Sequence, residues 1–252
     1  MHARTRDRIW QILRLAMAAA VVAAVVSQLA LTVDLALDAG RDVTTTVANF
    51  FSFFTILSNV SAAIVLAVAG VHGLRHPART DGRPLAVALA SVTTYMVITG
   101  IVYNLLLRGI ELAPGTTVPW SNEVLHVVAP LFLALDLFLG PRRRALVWRA
   151  LWAIVAFPIV WVVYTMVRGT LVTNPVTGDP FWYPYPFLNP NNPALQPPGY
   201  AGVAVYIVGI AVGILFVGAA VVFLGRRRAQ RPAGASDSSG SSSGSSAGSA
   251  AG

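Results

Sequence analysis

One histidine of this chain stands inside a hydrophobic segment. It is His126, in the run Ser121-Asn122-Glu123-Val124-Leu125-His126 that leads into Val127-Val128-Ala129-Pro130. The other three, His2, His72 and His76, stand among arginines at segment ends. An ionisable group at membrane depth is costly, and by default it marks a functional site with a partner to be named. Histidine exchanges protons near neutral pH, and a hydroxyl is a weak nucleophile until an adjacent base accepts its proton. Thr55 supplies a suitable hydroxyl. It lies in Asn49-Phe50-Phe51-Ser52-Phe53-Phe54-Thr55-Ile56-Leu57-Ser58-Asn59, where Ser52, Thr55 and Asn59 recur at i, i+3 and i+7 and are expected on one helix face. The same spacing argument puts Asn122, Glu123, His126 and Pro130 on one face. Glu123 or Asn122 would orient the imidazole, and Asn59, Tyr103 and Asn104 would donate to an oxyanion. Each of these residues also has an ordinary structural role. Asn, Ser and Thr bond neighbouring helices in membranes, and a threonine hydroxyl bonds back to its own preceding turn. Ser52, one turn before Thr55, is a competing hydroxyl.

The elements that must position these groups are membrane spans. Of the 252 residues, 56% are hydrophobic and only 11% are charged, against about 25% charged in soluble domains. Six apolar stretches, at 11–33, 47–71, 84–107, 120–140, 149–168 and 201–224, supply or nearly supply the roughly 20 residues that a helix needs to cross the hydrocarbon. The expected fold class is therefore all-α, a six-transmembrane helix bundle over 11–225. The first stretch is too long for a cleavable signal peptide, and no small-residue cleavage site follows it.

Arginine placement orients the bundle. There is no lysine, and alternate loops divide the arginines into 15 on the N-terminal side and three, Arg41, Arg108 and Arg168, on the other. The positive-inside rule then makes both termini cytoplasmic, with a short N-terminus at 1–10 and a basic, then Ser/Gly/Ala-rich tail at 226–252 expected to be disordered. The net charge of +8 is absorbed by these clusters as solvated headgroup anchors, so no nucleic-acid partner is implied. In this frame Thr55 and His126 lie about 12 and 9 Å below the outer boundary, at 1.5 Å per residue. Thr99, Tyr103, Asn104, Tyr164, Thr165 and Arg168 gather at the same end of their spans. The outer loop 174–200 holds eight of the sixteen prolines and an aromatic run from Phe181 to Phe187. It reads either as an interfacial anchor or as a lid over an outward-opening site. The chain has no cysteine, no His-Glu-x-x-His pair, no glycine-rich phosphate loop and no carboxylate cluster, so neither a metal nor a cofactor is expected.

Six spans, Phe53-Phe54-Thr55 opening the second, Asn122-x-x-x-His126 opening the fourth and Tyr185-Pro186-Phe187-Leu188 before the sixth resemble the androgen-induced-protein/FAR-17a family. Its bacterial members are the Pr6Pr membrane proteins, and the resemblance covers about residues 8–225. Eukaryotic members are threonine hydrolases that cleave fatty acid esters of hydroxy fatty acids within the bilayer, using a threonine in the second span and a histidine in the fourth. The resemblance places these roles on Thr55 and His126, and the aromatic loop on Tyr185. It implies a multi-pass hydrolase of lipid-like esters in a bacterial cell membrane, with membrane lipids as its surroundings. Two other expectations stand beside it. One is a non-catalytic protein that binds or moves a small apolar ligand, and the other is a structural subunit whose polar residues only join helices.

Overall fold

A computed structural model describes residues 2–77, 79–110, 114–141 and 144–229, so the tail at 230–252 lies outside the described residues. All regular structure among them is helical. The elements are α1 (His2–Asp38), α2 (Val43–Phe50), α3 (Phe54–Arg75), α4 (Arg83–Val102), α5 (Pro119–Glu123), α6 (Ala129–Leu139), α7 (Ala150–Gly169) and α8 (Gly199–Ala229). Five-residue π turns extend α4 at Tyr103–Leu107 and join α5 to α6 at Val124–Val128. Six helices are long and apolar enough to span a membrane: Arg4–Asp38, Phe54–Arg75, Arg83–Leu107, Pro119–Leu139, Ala150–Gly169 and Gly199–Arg227. The chain is a multi-pass helical membrane protein by the length and composition of these segments.

Small residues set the tightest packing. Ala18, Ala24, Ala62 and Ala63 are buried in one cluster shared by α1 and α3, and Gly70 of α3 is buried against Leu15 of α1. This is the means by which membrane helices approach when lipid supplies no hydrophobic contrast. A Cβ at Gly70 would stand 2.8 Å from Leu15 Cγ, so the α1–α3 spacing depends on that glycine. The α4 helix is central and contacts α3, α6, α7 and α8. Pro158 lies inside α7 and has no N–H to give to the carbonyl of Ile154. The Tyr95 hydroxyl of α4 donates to that carbonyl instead, at 2.8 Å.

Two expectations about the elements are corrected. The second span does not run unbroken from 47. It begins at Phe54, after α2 and a break at Phe51–Phe53, so Ser52 leaves the face that Thr55 and Asn59 share. Ser52 Oγ donates back to the Ala48 carbonyl at 2.7 Å and also meets the Tyr164 hydroxyl at 2.9 Å. Its own carbonyl accepts from the Trp161 indole at 3.0 Å. The side chain competes for backbone groups, and α7 holds the break open. The second correction concerns Arg14. Arg4, Arg6, Arg8, Arg75, Arg79, Arg83, Arg144 and Arg149 are exposed as anchors should be, but Arg14 is 1% exposed. Its guanidinium grips Asp136 of α6 with both prongs, Nε to Oδ1 at 2.8 Å and Nη2 to Oδ2 at 3.1 Å. The Trp10 indole donates to the same carboxylate at 2.5 Å, and Gln11 Oε1 accepts from Arg14 Nη1 at 3.1 Å.

Candidate functional site

Thr55 is the second residue of α3, within the first turn, where backbone N–H groups have no carbonyl one turn back to receive them. Phe53 at the cap supplies no side-chain acceptor. The loop 174–200 supplies one. Tyr185 Oη accepts from the Thr55 N–H at 3.2 Å and lies 3.2 Å from Thr55 Oγ1. With its lone pair on the N–H, the phenol is free to donate to Oγ1, which leaves the threonine hydrogen available to another acceptor. Burial pushes the Tyr185 hydroxyl above the ordinary phenol value, and its bonds to Thr55 pull it part of the way back. It is therefore a neutral donor at physiological pH and not a base. Its ring is fixed by Phe187, stacked at 5.2 Å, and by Phe53, edge-on at 5.5 Å.

The next layer joins Thr55 to α4 and to the fourth span. Ser58 Oγ donates to the Thr55 carbonyl at 3.1 Å and stands 3.1 Å from Thr99 Oγ1. Asn59 Nδ2 donates both to the Thr55 carbonyl at 2.9 Å and to the Leu125 carbonyl at 3.2 Å. The amide thus ties the site to the residue that precedes His126.

His126 itself is turned elsewhere. Its Nδ1 lies 2.9 Å from the Asn122 carbonyl, one turn back on its own helix. Its ring stacks on Tyr103, with centroids 3.8 Å apart and planes 21° from parallel. The Asn122 amide donates to the Tyr103 hydroxyl at 2.5 Å. The direct Thr55–His126 hydrogen bond expected of a dyad is not made: Thr55 is engaged by Tyr185, and Tyr103 covers the imidazole. Pro130 accounts for the local geometry. It cannot donate to the His126 carbonyl, so the helix widens there, and the Ala129 N–H reaches five residues back to Val124. That turn breaks the simple spacing on which a shared face for Asn122, Glu123, His126 and Pro130 rested. Gly100 of α4 admits this bulge, since a Cβ there would stand 3.0 Å from Pro130 Cβ and 3.3 Å from the His126 carbonyl oxygen.

Glu123 and Asn104 do not converge on Thr55. Glu123 forms an exposed ion pair with Arg108 at 3.0 Å. Asn104 donates to the Gly100 carbonyl at 2.8 Å and reaches the His126 carbonyl only at 3.5 Å. Ser52 lies on the α7 side, as described above. Among the described residues no cluster of three or more His, Cys, Asp or Glu side chains could hold a metal.

Beside Thr55 lies a cavity of about 390 Å³, bordered by the start of α3, by α4, α7 and α8, and by the loop 174–200. Thr55, Thr99, Tyr103 and Tyr185 line one end, and apolar residues line the remainder. Trp152 and Val162 of α7 both face it, so it extends about 15 Å along that helix. Trp152, Ile159 and Leu215 line the cavity and are also exposed on the outside of the bundle, at 76%, 55% and 49%. The cavity is therefore open sideways between α7 and α8. The loop 174–200 is built into the bundle, with Tyr185, Phe187, Leu188 and Leu195 buried, and the first three of these wall the chamber. The chamber wall on α7 and α8 escaped the sequence reading because alternating Ile, Val and Leu look the same facing a cavity or facing lipid. Only Pro158, which bends attention to that stretch of α7, was a legible sign.

No protein-family model, curated protein or solved structure matches the chain.

Proposed function

We propose that this membrane protein takes a lipid-like molecule from the bilayer, through the gap between α7 and α8, and holds its polar head against Thr55, Thr99 and Tyr185. The observation that carries this reading is the elongated apolar chamber, open sideways between α7 and α8, with its hydroxyls gathered at one end. Ligand sites commonly have this character: an apolar wall, a few convergent polar groups and a volume of about 300–1,000 Å³. The experiment is photo-cross-linking in nanodiscs with a long-chain alcohol that carries a diazirine near its chain end. Saturable labelling on the chamber faces of α7 and α8 is the expected result. Labelling spread evenly over all lipid-facing helices would remove the reading.

Ester hydrolysis at Thr55, the activity the Pr6Pr resemblance implies, is the second reading. The observation in its favour is the seat of the hydroxyl at the head of α3, beside its own N–H and a neutral phenol. Thr55 Oγ would attack the ester carbonyl carbon, and the Thr55 N–H and Tyr185 hydroxyl would receive the charge that develops on its oxygen. The threonine proton would pass to the His126 imidazole once Tyr103 turned aside, and then to the departing alcohol. Water would release the acyl group from Thr55. A fluorophosphonate probe tests this reading: wild type should be labelled, and Thr55→Ala and His126→Ala should not. Equal labelling of wild type and Thr55→Ala would end it.

A further inference from the structure

The chamber has a polar end but no charge. Among the described residues that line it, the polar groups are the hydroxyls of Thr55, Thr99, Tyr103 and Tyr185 and the indoles of Trp152 and Trp161. No described arginine lines the chamber. Arg108 pairs with Glu123 at the surface, and Arg168, whose Nη1 has no hydrogen-bond partner among the described residues, lies over the Trp182 ring outside the lining. A carboxylate or phosphate that entered the chamber would lose its water and find no counter-ion among the residues that line it. Burying an unpaired charge is among the most unfavourable events in a protein interior.

The hydroxyls present the opposite face to a neutral head. Tyr185 can satisfy Thr55 Oγ1, which leaves the Thr55 O–H to donate. Ser58 donates to the Thr55 carbonyl, so its oxygen is placed to accept from Thr99, which leaves Thr99 Oγ1 able to accept a further bond. A head that offers one acceptor, or one acceptor and one donor, matches this set. Burial keeps the Tyr185 phenol protonated, so the chamber end does not acquire a charge of its own at physiological pH.

We infer that the chamber selects a single-chain lipid with an uncharged oxygen head, an alcohol or an ester, and rejects the same chain with an ionised carboxylate. The volume of about 390 Å³ lies at the lower end of ligand pockets, which favours one chain over two. This inference rests on the chamber reading given above, and one experiment separates the two. Trp161 lines the cavity and serves as the reporter, in a Trp152→Phe background that removes the exposed indole. Three chain-brominated probes of equal length are added to nanodiscs at fixed mole fraction and pH 8: the alcohol, its acetate ester and the carboxylate. Tryptophan quenching is followed in Trp152→Phe and in a Trp152→Phe, Trp161→Phe variant that sets the background from the bulk lipid. Saturable quenching by the alcohol and the ester, at least tenfold stronger than by the carboxylate, is expected. Saturable quenching of equal strength by all three would overturn the selectivity and leave the chamber standing. Quenching by none of them above the variant's background would overturn both.

Discussion

Asp136→Ala is expected to lower the stability of the bundle by about 3–5 kcal/mol, measured by reversible unfolding in mixed micelles. The size follows from what is left behind. Arg14 and Asp136 are 1% and 0% exposed, so removal of the carboxylate leaves a buried guanidinium with only Gln11 as a partner among the described residues and deprives the Trp10 indole of its acceptor. The sign reverses for the pair. Arg14→Met combined with Asp136→Leu should unfold close to wild type or above it, because two desolvated charges are exchanged for apolar packing. Wild-type stability in Asp136→Ala would mean that the arginine is not confined to this position.

Tyr185→Ala carries the second large effect, and it combines two losses. The ring packs against Phe53, Phe187 and Trp161, so its removal opens a cavity of the kind that costs about 3–5 kcal/mol for a large aromatic. Tyr185→Phe isolates the hydroxyl. It keeps the packing but leaves the Thr55 N–H without an acceptor and Oγ1 without its neighbour, for about 1–3 kcal/mol. The two variants are compared by unfolding midpoint. Equal stability of Tyr185→Phe and wild type would show that the phenol does not cap α3.

The spans were legible because hydrocarbon thickness imposes a minimum apolar length on every crossing helix, and strings such as Ala150–Gly169 meet it without a charged residue until Arg168. Thr55 and Asn59 were legible as candidates because a polar group in an apolar segment stands out against its neighbours, whereas Tyr185, between two prolines of the loop, was singled out only by the family resemblance. Their partners were harder to read. The Thr55–Tyr185 contact joins residues 130 positions apart, and no local spacing encodes it. The expected spans put His126 and Thr55 at similar depths, but α3 begins only at Phe54, and depth in any case says nothing of which way a ring turns. The π turn at Val124–Val128 shifts the register, and Tyr103 takes the face of the imidazole. Pro130 was in plain view, and the carbonyl it frees four residues back is the local cause. Arg14 was read as one more headgroup anchor, since arginine counting orients a chain but cannot separate a solvated guanidinium from one that has found a carboxylate on another helix. Asp136 was the available signal, as a lone carboxylate inside a span requires a cation.

The most direct test of the chamber is cross-linking of the chain-end diazirine alcohol to wild type and to Ile210→Trp, which places an indole into the cavity from α8. Saturable label on the chamber residues of α7 and α8 in wild type, lost in the correctly folded Ile210→Trp variant, is the predicted result. Undiminished saturable labelling of the filled variant at the same residues would contradict it.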